Sequence, residues 1–386
     1  MNKQTLSYYL FGLTLTLFQF AGYSAITLPL LALATLLIFN AGVFNRNLKT
    51  MPSYMLFLAC SILIGLTFLI FRDTNSKSIM AWGQFYFFAF LLLGIDDKSK
   101  LIRIIKYFVY AIFVADLVSN ILLAMGFSLP WTKFPPVRPG ELLPRFPGVK
   151  SSSLYSGSIS FLALCCIMQE DIRRKWLRYS VVFVMCLNLL LAGSFRYYIT
   201  LMAVFALYYF HIYKDRRKLL LTYGLFVLGV IIMTATTTDI SKSNELRWGL
   251  WMHTIDIIGQ NPFFGEGFVF HDVREGVVFS LHNLAMARMT ESTILLFAMC
   301  FGVPVMCLFL HAIYATLRHF YRYRQYEQEL GFFLGLTLDL FWGGSIDNCM
   351  SVSILLLSMY LINYNGYIMS HAERYAKIPD RQNKDL

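Results

Sequence analysis

Residues 52–71 read PSYMLFLACSILIGLTFLIF, a run of consecutive positions without one charged side chain. An α-helix rises about 1.5 Å per residue, so a run of this length spans about 30 Å, the thickness of a bilayer's hydrocarbon core. The whole chain shares this character, because 57% of its 386 residues are hydrophobic and only 14% are charged. Soluble domains carry about 25% charged residues. The composition therefore predicts an integral membrane protein and argues against a soluble one.

The same apolar pattern recurs along the chain in twelve segments. They cover residues 6–22, 24–43, 52–71, 78–94, 103–126, 153–168, 179–194, 197–213, 219–236, 291–316, 330–345 and 350–367. Most of them have the length that a membrane-spanning helix requires. We therefore predict an all-α polytopic membrane protein of about twelve transmembrane helices, with residues 1–386 forming a single integral membrane domain.

Positive charge is distributed unevenly between the two faces of this topology. Two thirds of the 33 Lys and Arg residues fall on the side that holds both termini and short loops such as 45–49. Because positive charge marks the cytoplasmic side, both termini are predicted to be cytoplasmic. The net charge of +11 is then an orientation signal, and a nucleic-acid partner is excluded.

Two long connections are predicted on the outer side. Residues 127–152 are Pro-rich and form an irregular periplasmic loop, since proline fixes φ and opposes regular structure. Residues 237–290 form a large periplasmic loop that contains an amphipathic helix over 245–259. Ser243 or Asn244 would cap this helix, and Asn261-Pro262 would end it. Loops of this length in a compact protein are often functional.

Six arginines are predicted to lie on the outer side, against the direction of the charge bias. The guanidinium group offers a planar fork of donors that fits phosphate oxygens, so these residues indicate a phosphate or diphosphate ligand. Contact with lipid headgroups is the alternative explanation for each of them. Arg196 lies between two apolar segments with almost no loop, so its charge is expected to face protein at the membrane boundary. The six are Arg138, Arg145, Arg196, Arg247, Arg274 and Arg288.

His282 is the best candidate for a general base, because histidine exchanges a proton near neutral pH. Glu266 and Glu291 are alternative bases, and Glu291 could equally be a carboxylate favoured by a helix N-terminus. No Cys/His spacing typical of a metal site occurs, so we predict no metal and no cofactor.

Two acidic residues, Asp116 and Asp339, fall within apolar segments. Acidic residues inside a membrane segment point to a functional site by default. For Asp116 we prefer a simpler interpretation, in which the carboxyl group pairs with Ser119 or Asn120.

Three short motifs resemble the signature regions of the O-antigen polymerase and O-antigen ligase superfamily. The first combines Arg247-x3-Trp251 with Asn261-Pro262-Phe263-Phe264-Gly265-Glu266-Gly267 and then His282-Asn283, followed by an apolar helix. The second is Ser194-x-Arg196 at the start of an apolar segment, and the third is Arg145-Phe146-Pro147-Gly148 before a central helix. The order of these motifs and the twelve-helix layout are both similar to the superfamily.

The resemblance implies a metal-independent membrane glycosyltransferase with a fold of the GT-C-like kind in the bacterial inner membrane. Its substrates would be undecaprenyl-diphosphate-linked oligosaccharides, and its active site would face the periplasm. Arg196 and Arg247 would bind the diphosphate, with His282 and Glu266 as the other catalytic candidates. Substrate-binding roles would fall to the residues Arg145, Arg274, Arg288, Asn283 and Trp251.

A polymerase of lipid-linked repeat units is the function that we favour at this point. A polymerase would also have a chain-length regulator protein as a partner in the membrane. A ligase that transfers finished polymer to lipid A core is an alternative, but the residues after His282-Asn283 do not continue in the ligase-like pattern. A flippase or transporter for the same lipid-linked sugars is another alternative. It is disfavoured because the charges collect in outer loops and the two halves show no repeat.

Overall fold

The computed structural model describes the chain in several stretches. These are residues 6–14, 27–50, 52–71, 76–95, 98–127, 129, 145–149, 153–167, 172, 174–193, 197–198, 200–202, 204, 240–268, 292–322, 327–342, 357–358 and 360–362. Within these stretches the regular structure is helical, and extended pairing is limited to an isolated bridge between Phe39 and Ile95. The prediction of a helical protein is confirmed for the described part of the chain.

Residues 6–14 are helical, and eleven further helices in the described stretches are labelled here in chain order. They are α1 (Thr27–Leu37), α2 (Ala41–Thr50), α3 (Pro52–Phe71), α4 (Ser76–Leu93), α5 (Lys98–Ala124), α6 (Ser153–Ile167), α7 (Lys175–Ala192), α8 (Ile240–Gln260), α9 (Thr293–Phe301), α10 (Val303–Arg322) and α11 (Glu327–Trp342).

Two of the described helices are long and apolar enough to cross a membrane. They contain the spans Ser53–Phe71 in α3 and Lys100–Ala124 in α5. Shorter apolar helices cover Tyr155–Ile167, Trp176–Ala192 and Val303–Arg318. The predicted segment 52–71 coincides with α3, because a charge-free run bounded by Pro52 has no internal signal to stop a helix.

The predicted segment 24–43 and the predicted loop 45–49 are both wrong in the structure. Helix α1 ends at Leu37, and a separate helix α2 begins at Ala41 and includes residues 45–49. Asn40 causes the break, since its Oδ1 accepts hydrogen bonds from the amides of Gly42 (2.9 Å) and Val43 (3.3 Å) as a capping side chain does. Asn47 then fixes α2 to the end of α4 by donating to the carbonyl of Leu93 at 2.6 Å.

The predicted segment 291–316 is also divided in the structure, at Gly302. Helix α9 begins after Ser292, whose Oγ accepts the Leu295 amide, and it ends at Phe301. Helix α10 begins at Val303, whose amide donates to the carbonyl of Pro262 at 2.8 Å. The break therefore accommodates a segment from elsewhere in the chain, which hydropathy along one helix does not reveal.

Aromatic side chains form the centre of the core. The Trp82 ring on α4 lies 4.8 Å from Phe301 and 6.0 Å from Phe297 of α9, measured between ring centroids. It also stacks on Phe268 at 6.0 Å, so residues that follow α8 reach the same core. Aromatic pairs at these distances contribute about 0.5–1.5 kcal/mol beyond their buried area. This cluster anchors the end of the 261–268 segment against α4 and α9.

Candidate functional site

The Arg145 segment packs against the end of helix α7. The amide of Phe146 donates to the carbonyl of Leu191 at 2.9 Å. A Cβ placed on Gly193 would lie 2.8 Å from Cγ of Arg145, so the half-buried Arg145 side chain runs directly over this glycine. Tyr198, just beyond, returns its hydroxyl to the carbonyl of Leu189 at 2.8 Å. The structure thus brings Arg145 to the end of α7, at Gly193.

Residues 145–149 are held from below by a polar cluster of five buried side chains. We call it the Asp116 cluster, and its members, all fully buried, are Asp116, Asn120, Ser156, Ser160 and Asn188. They come from three helices, α5, α6 and α7. Buried polar groups are tolerated when each finds a hydrogen-bond partner, and the Asp116 cluster meets that condition internally and through the loop.

Asp116 is the centre of the hydrogen bonds between the helices. Its Oδ2 accepts from Ser156 Oγ at 2.5 Å and from Asn188 Nδ2 at 3.1 Å. Asn120 Nδ2 donates to Asn188 Oδ1 at 2.9 Å, and Asn188 Nδ2 also donates to Ser160 Oγ at 2.9 Å. These bonds connect α5, α6 and α7 at one level, about two turns before α5 ends at Ala124.

Two further bonds run from the backbone of the loop into the Asp116 cluster. The amide of Gly148 donates to Asn120 Oδ1 at 2.9 Å, and the amide of Val149 donates to Asp116 Oδ1 at 3.1 Å. Gly148 has φ +63°, and a Cβ there would collide with the carboxyl group of Asp116. Glycine is therefore required at this turn, both for its backbone conformation and for the close approach to Asp116.

Of the two partners predicted for Asp116, Asn120 is the one found, with its Nδ2 at 3.4 Å from Asp116 Oδ2, whereas Ser119 donates to the backbone carbonyl of Ala115. Sequence reasoning named Asp116 and Asn120 but missed Ser156 and Asn188 as partners. A signal was present, because Asp116 and Asn120, and likewise Ser156 and Ser160, are four residues apart in apolar helices and so share one helix face.

Residues 261–268, which contain the Asn261–Gly267 part of the first motif, form a turn that docks on the junction of α9 and α10. The amides of Glu266 and Gly267 donate to the carbonyls of Met299 and Cys300, each at 2.8 Å. Gly265 has φ +65°, and a Cβ there would lie 2.5 Å from the backbone of Cys300. The docking bonds satisfy the carbonyls that the end of α9 leaves without helical partners.

Glu266 lies within this turn and is bound by it. Asn261 Nδ2 donates to Oε1 of Glu266, which ties the first residue of the motif to the sixth. The amide of Gly265 donates to the Asn261 carbonyl at 2.9 Å, so Asn261 closes the turn through two separate groups. The carboxylate that was a candidate base is thus also part of the internal bonding of the motif.

Helix α8 positions Arg247 and Trp251 one turn apart. The predicted helix 245–259 is confirmed and is longer, because it begins at Ile240, so the predicted caps at Ser243 and Asn244 are wrong. The predicted end at Asn261-Pro262 agrees with the last helical residue, Gln260. Trp251 is half-buried.

One face of α8 packs against the protein and another is exposed. Leu250 and Thr254 are buried against the protein, whereas Met252 and Ile255 are 42% and 47% exposed. Phe263 and Phe264 in the following turn are also exposed, at 68% and 66%. The apolar side chains of this region therefore divide between the core and an outward surface.

Several predicted site residues lie outside the described part of the chain. They are Arg138, Arg196, Arg274, His282, Asn283, Arg288 and Glu291, and for Arg247 the structure describes the backbone alone. In the stretches that are described, no group of His, Cys, Asp and Glu side chains has the arrangement of a metal site. The chain matches no protein-family model, and no curated protein is significantly similar to it in sequence.

Proposed function

We propose that the protein is a polymerase of a surface polysaccharide, joining undecaprenyl-diphosphate-linked repeat units at the periplasmic face of the bacterial inner membrane. The observation that carries this proposal is the contact between Arg145 and Gly193, which places a half-buried arginine of one motif at the end of α7, directly before the Ser194-x-Arg196 motif in the sequence. An arginine held there supports the proposal, because positive charge stabilises an anionic leaving group.

The proposed arrangement in the membrane has about twelve spans, with both termini in the cytoplasm. Helices α3 and α5 supply two spans of sufficient length. The exposed apolar side chains of Met252, Ile255, Phe263 and Phe264 support a place for α8 and its turn at the outer membrane interface. A separate chain-length regulator is the proposed protein partner.

The proposed reaction is a glycosyl transfer without a metal ion. A hydroxyl group of the acceptor sugar attacks the anomeric carbon of the donor, a new C–O bond forms, and the bond to the diphosphate breaks. Undecaprenyl diphosphate leaves with the electron pair, and Arg196, Arg247 and Arg145 stabilise its negative charge. The proton of the attacking hydroxyl passes to His282.

Deleting the gene from its source strain tests the polymerase function. We expect a ladder gel of the cell-surface polysaccharide to show core bearing a single repeat unit, because initiation and transfer remain while chain extension is lost. A plasmid copy of the wild-type chain should restore the ladder. Bare core together with polymer held on undecaprenyl diphosphate would identify a ligase instead, and an unchanged ladder would refute both enzymes.

Replacing Glu266 with glutamine separates the two candidate bases. Glutamine keeps a carbonyl oxygen that can accept the Asn261 hydrogen bond but cannot take up a proton at working pH. We expect Glu266→Gln to retain the wild-type ladder and His282→Ala to slow chain extension about 10²–10⁴-fold, the usual contribution of a general base. Complementation of the deletion strain measures both. Loss of the ladder in Glu266→Gln at normal protein level would transfer the role of base to Glu266.

A further inference from the structure

We propose that Asp116 and Asn120 are positioning residues, which hold the 145–149 loop inside the helix bundle and thereby place Arg145 where it meets the lipid diphosphate. The role of Arg145 in this inference rests on the proposed function. The holding of the loop rests on the hydrogen bonds alone. Neither residue touches the substrate in this scheme, because both are fully buried beneath the loop.

The depth of the loop is the first step of the argument. Asp116 lies eight residues before the end of α5, which corresponds to about 12 Å along the helix axis. Val149 bonds to Asp116, and Phe146, Pro147 and Gly148 are buried. Irregular backbone therefore reaches about 12 Å below the end of a helix that is long and apolar enough to span a membrane.

Non-helical backbone is tolerated at membrane depth only where it is buried in protein or lines a water-filled cavity. Residues 146–148 are buried in protein, so protein groups are expected to satisfy their amides. Asn120 Oδ1 accepts the Gly148 amide and Asp116 Oδ1 accepts the Val149 amide. The two side chains therefore supply the acceptors that make the loop's inward course stable, which explains why polar residues occupy an apolar span.

The rest of the Asp116 cluster fixes the direction of these acceptors. Ser156 and Asn188 both donate to Asp116 Oδ2, which leaves Oδ1 directed at the loop. Asn188 also accepts from Asn120 Nδ2, which directs the Asn120 oxygen toward Gly148. Hydrogen bonds among α5, α6 and α7 thus hold the two acceptors, Asp116 Oδ1 and Asn120 Oδ1, in place. The loop that they bind carries Arg145 to the end of α7.

Hydrogen–deuterium exchange of the full-length protein in lipid nanodiscs tests whether the loop is held. We expect the amides of Gly148 and Val149 to exchange about tenfold faster in Asp116→Ala than in the wild-type chain, because a hydrogen-bonded amide exchanges only when its bond opens. Ser160→Ala is the matched control, since it removes a bond of the same cluster but neither bond to the loop. Unchanged exchange in Asp116→Ala would overturn the proposal.

Binding of undecaprenyl diphosphate to the same nanodiscs tests the positioning of Arg145. We expect Arg145→Ala and Asp116→Ala each to weaken binding about tenfold. The double variant should bind as weakly as Arg145→Ala, within about twofold, because both changes remove the same interaction between Arg145 and the diphosphate. Ser160→Ala should bind as the wild type does. Full affinity in either single variant, or effects that multiply in the double variant, would overturn the positioning role.

The variant Asp116→Asn keeps the test valid if alanine disrupts folding. Asparagine has the same shape and retains one carbonyl oxygen for the Val149 amide, so exchange and binding should fall between those of wild type and Asp116→Ala. Equal effects of both replacements would count against a role for the acceptor oxygen. Neither exchange nor binding requires polymerisation. If both measurements give the expected results but the protein makes no polymer, the proposed function is refuted and the positioning role is not.

Discussion

Replacing Arg247 with alanine is expected to slow chain extension about 10²–10³-fold, the loss usually seen when one donor to a developing anion is removed. Arg247 lies on α8, four residues before Trp251 and ahead of the docked turn, so its backbone is held by a helix with a buried face. In the proposed reaction its charge is needed chiefly when the diphosphate departs. The amount of folded protein should therefore be unchanged.

The ladder gel of the complemented deletion strain measures this effect, together with the protein level in the membrane. Lys242→Ala is a matched control, because Lys242 is another cation on the same helix and belongs to none of the motifs. Arg247→Lys should be intermediate, since lysine keeps the charge but not the planar fork of donors. A wild-type ladder in Arg247→Ala would contradict both the assignment of this residue and the proposed leaving-group chemistry.

Replacing Gly265 with valine is expected to destabilise the fold by about 2–5 kcal/mol, the sum of left-handed backbone strain and overpacking. Gly265 has φ +65°, and a side chain there would meet the backbone of Met299 and Cys300 at 2.5 Å. The backbone at the end of α9 cannot move aside without breaking its bonds to Glu266 and Gly267. The turn should therefore undock rather than adjust.

Size-exclusion chromatography and thermal melting of the detergent-solubilised protein measure the loss. Gly259→Ala is the control, because a Cβ at Gly259 would have no atom within 4 Å and the residue lies within helix α8. That change should leave stability unaltered or raise it slightly, since alanine favours a helix over glycine by about 0.5–1 kcal/mol. A stable, monodisperse Gly265→Val variant would show that the turn does not depend on its contact with α9.

Local signals predicted helix type well and helix ends less well. The charge-free run 52–71 agrees with α3, and Asn261-Pro262 agrees with the end of α8. The errors at Asn40 and Gly302 have one physical cause: both positions lie inside hydrophobic runs, where hydropathy averages over a single capping residue. A side chain that caps a helix, or a glycine that admits another segment, changes the backbone without changing the average.

The candidate site was predictable only in part, for a different reason. Arg145 was selected as a substrate-binding residue from its charge and its motif, and Asp116 as an acid in an apolar segment. Their connection through the 145–149 loop was not, because Gly148 of the loop, Asn120 of α5 and Asn188 of α7 meet only in the folded chain. The polar pattern of each helix shows which face carries hydrogen-bonding groups. It does not show which groups on other helices are their hydrogen-bond partners.

The amino-acid sequence by itself determined that the described chain would be helical and apolar, because hydropathy and helix rise act on neighbouring residues. The need for glycine at positions 148 and 265 comes from tertiary contacts, with the Asp116 carboxyl group and with the backbone at the end of α9. Tertiary structure alone decided that Arg145 would lie over Gly193, that Phe268 would enter the Trp82 core, and that Asp116 would bond to a loop rather than to Ser119. These contacts depend on how segments distant in sequence pack together. The free energy of packing depends on the fit between two surfaces, so it cannot be read from one segment alone.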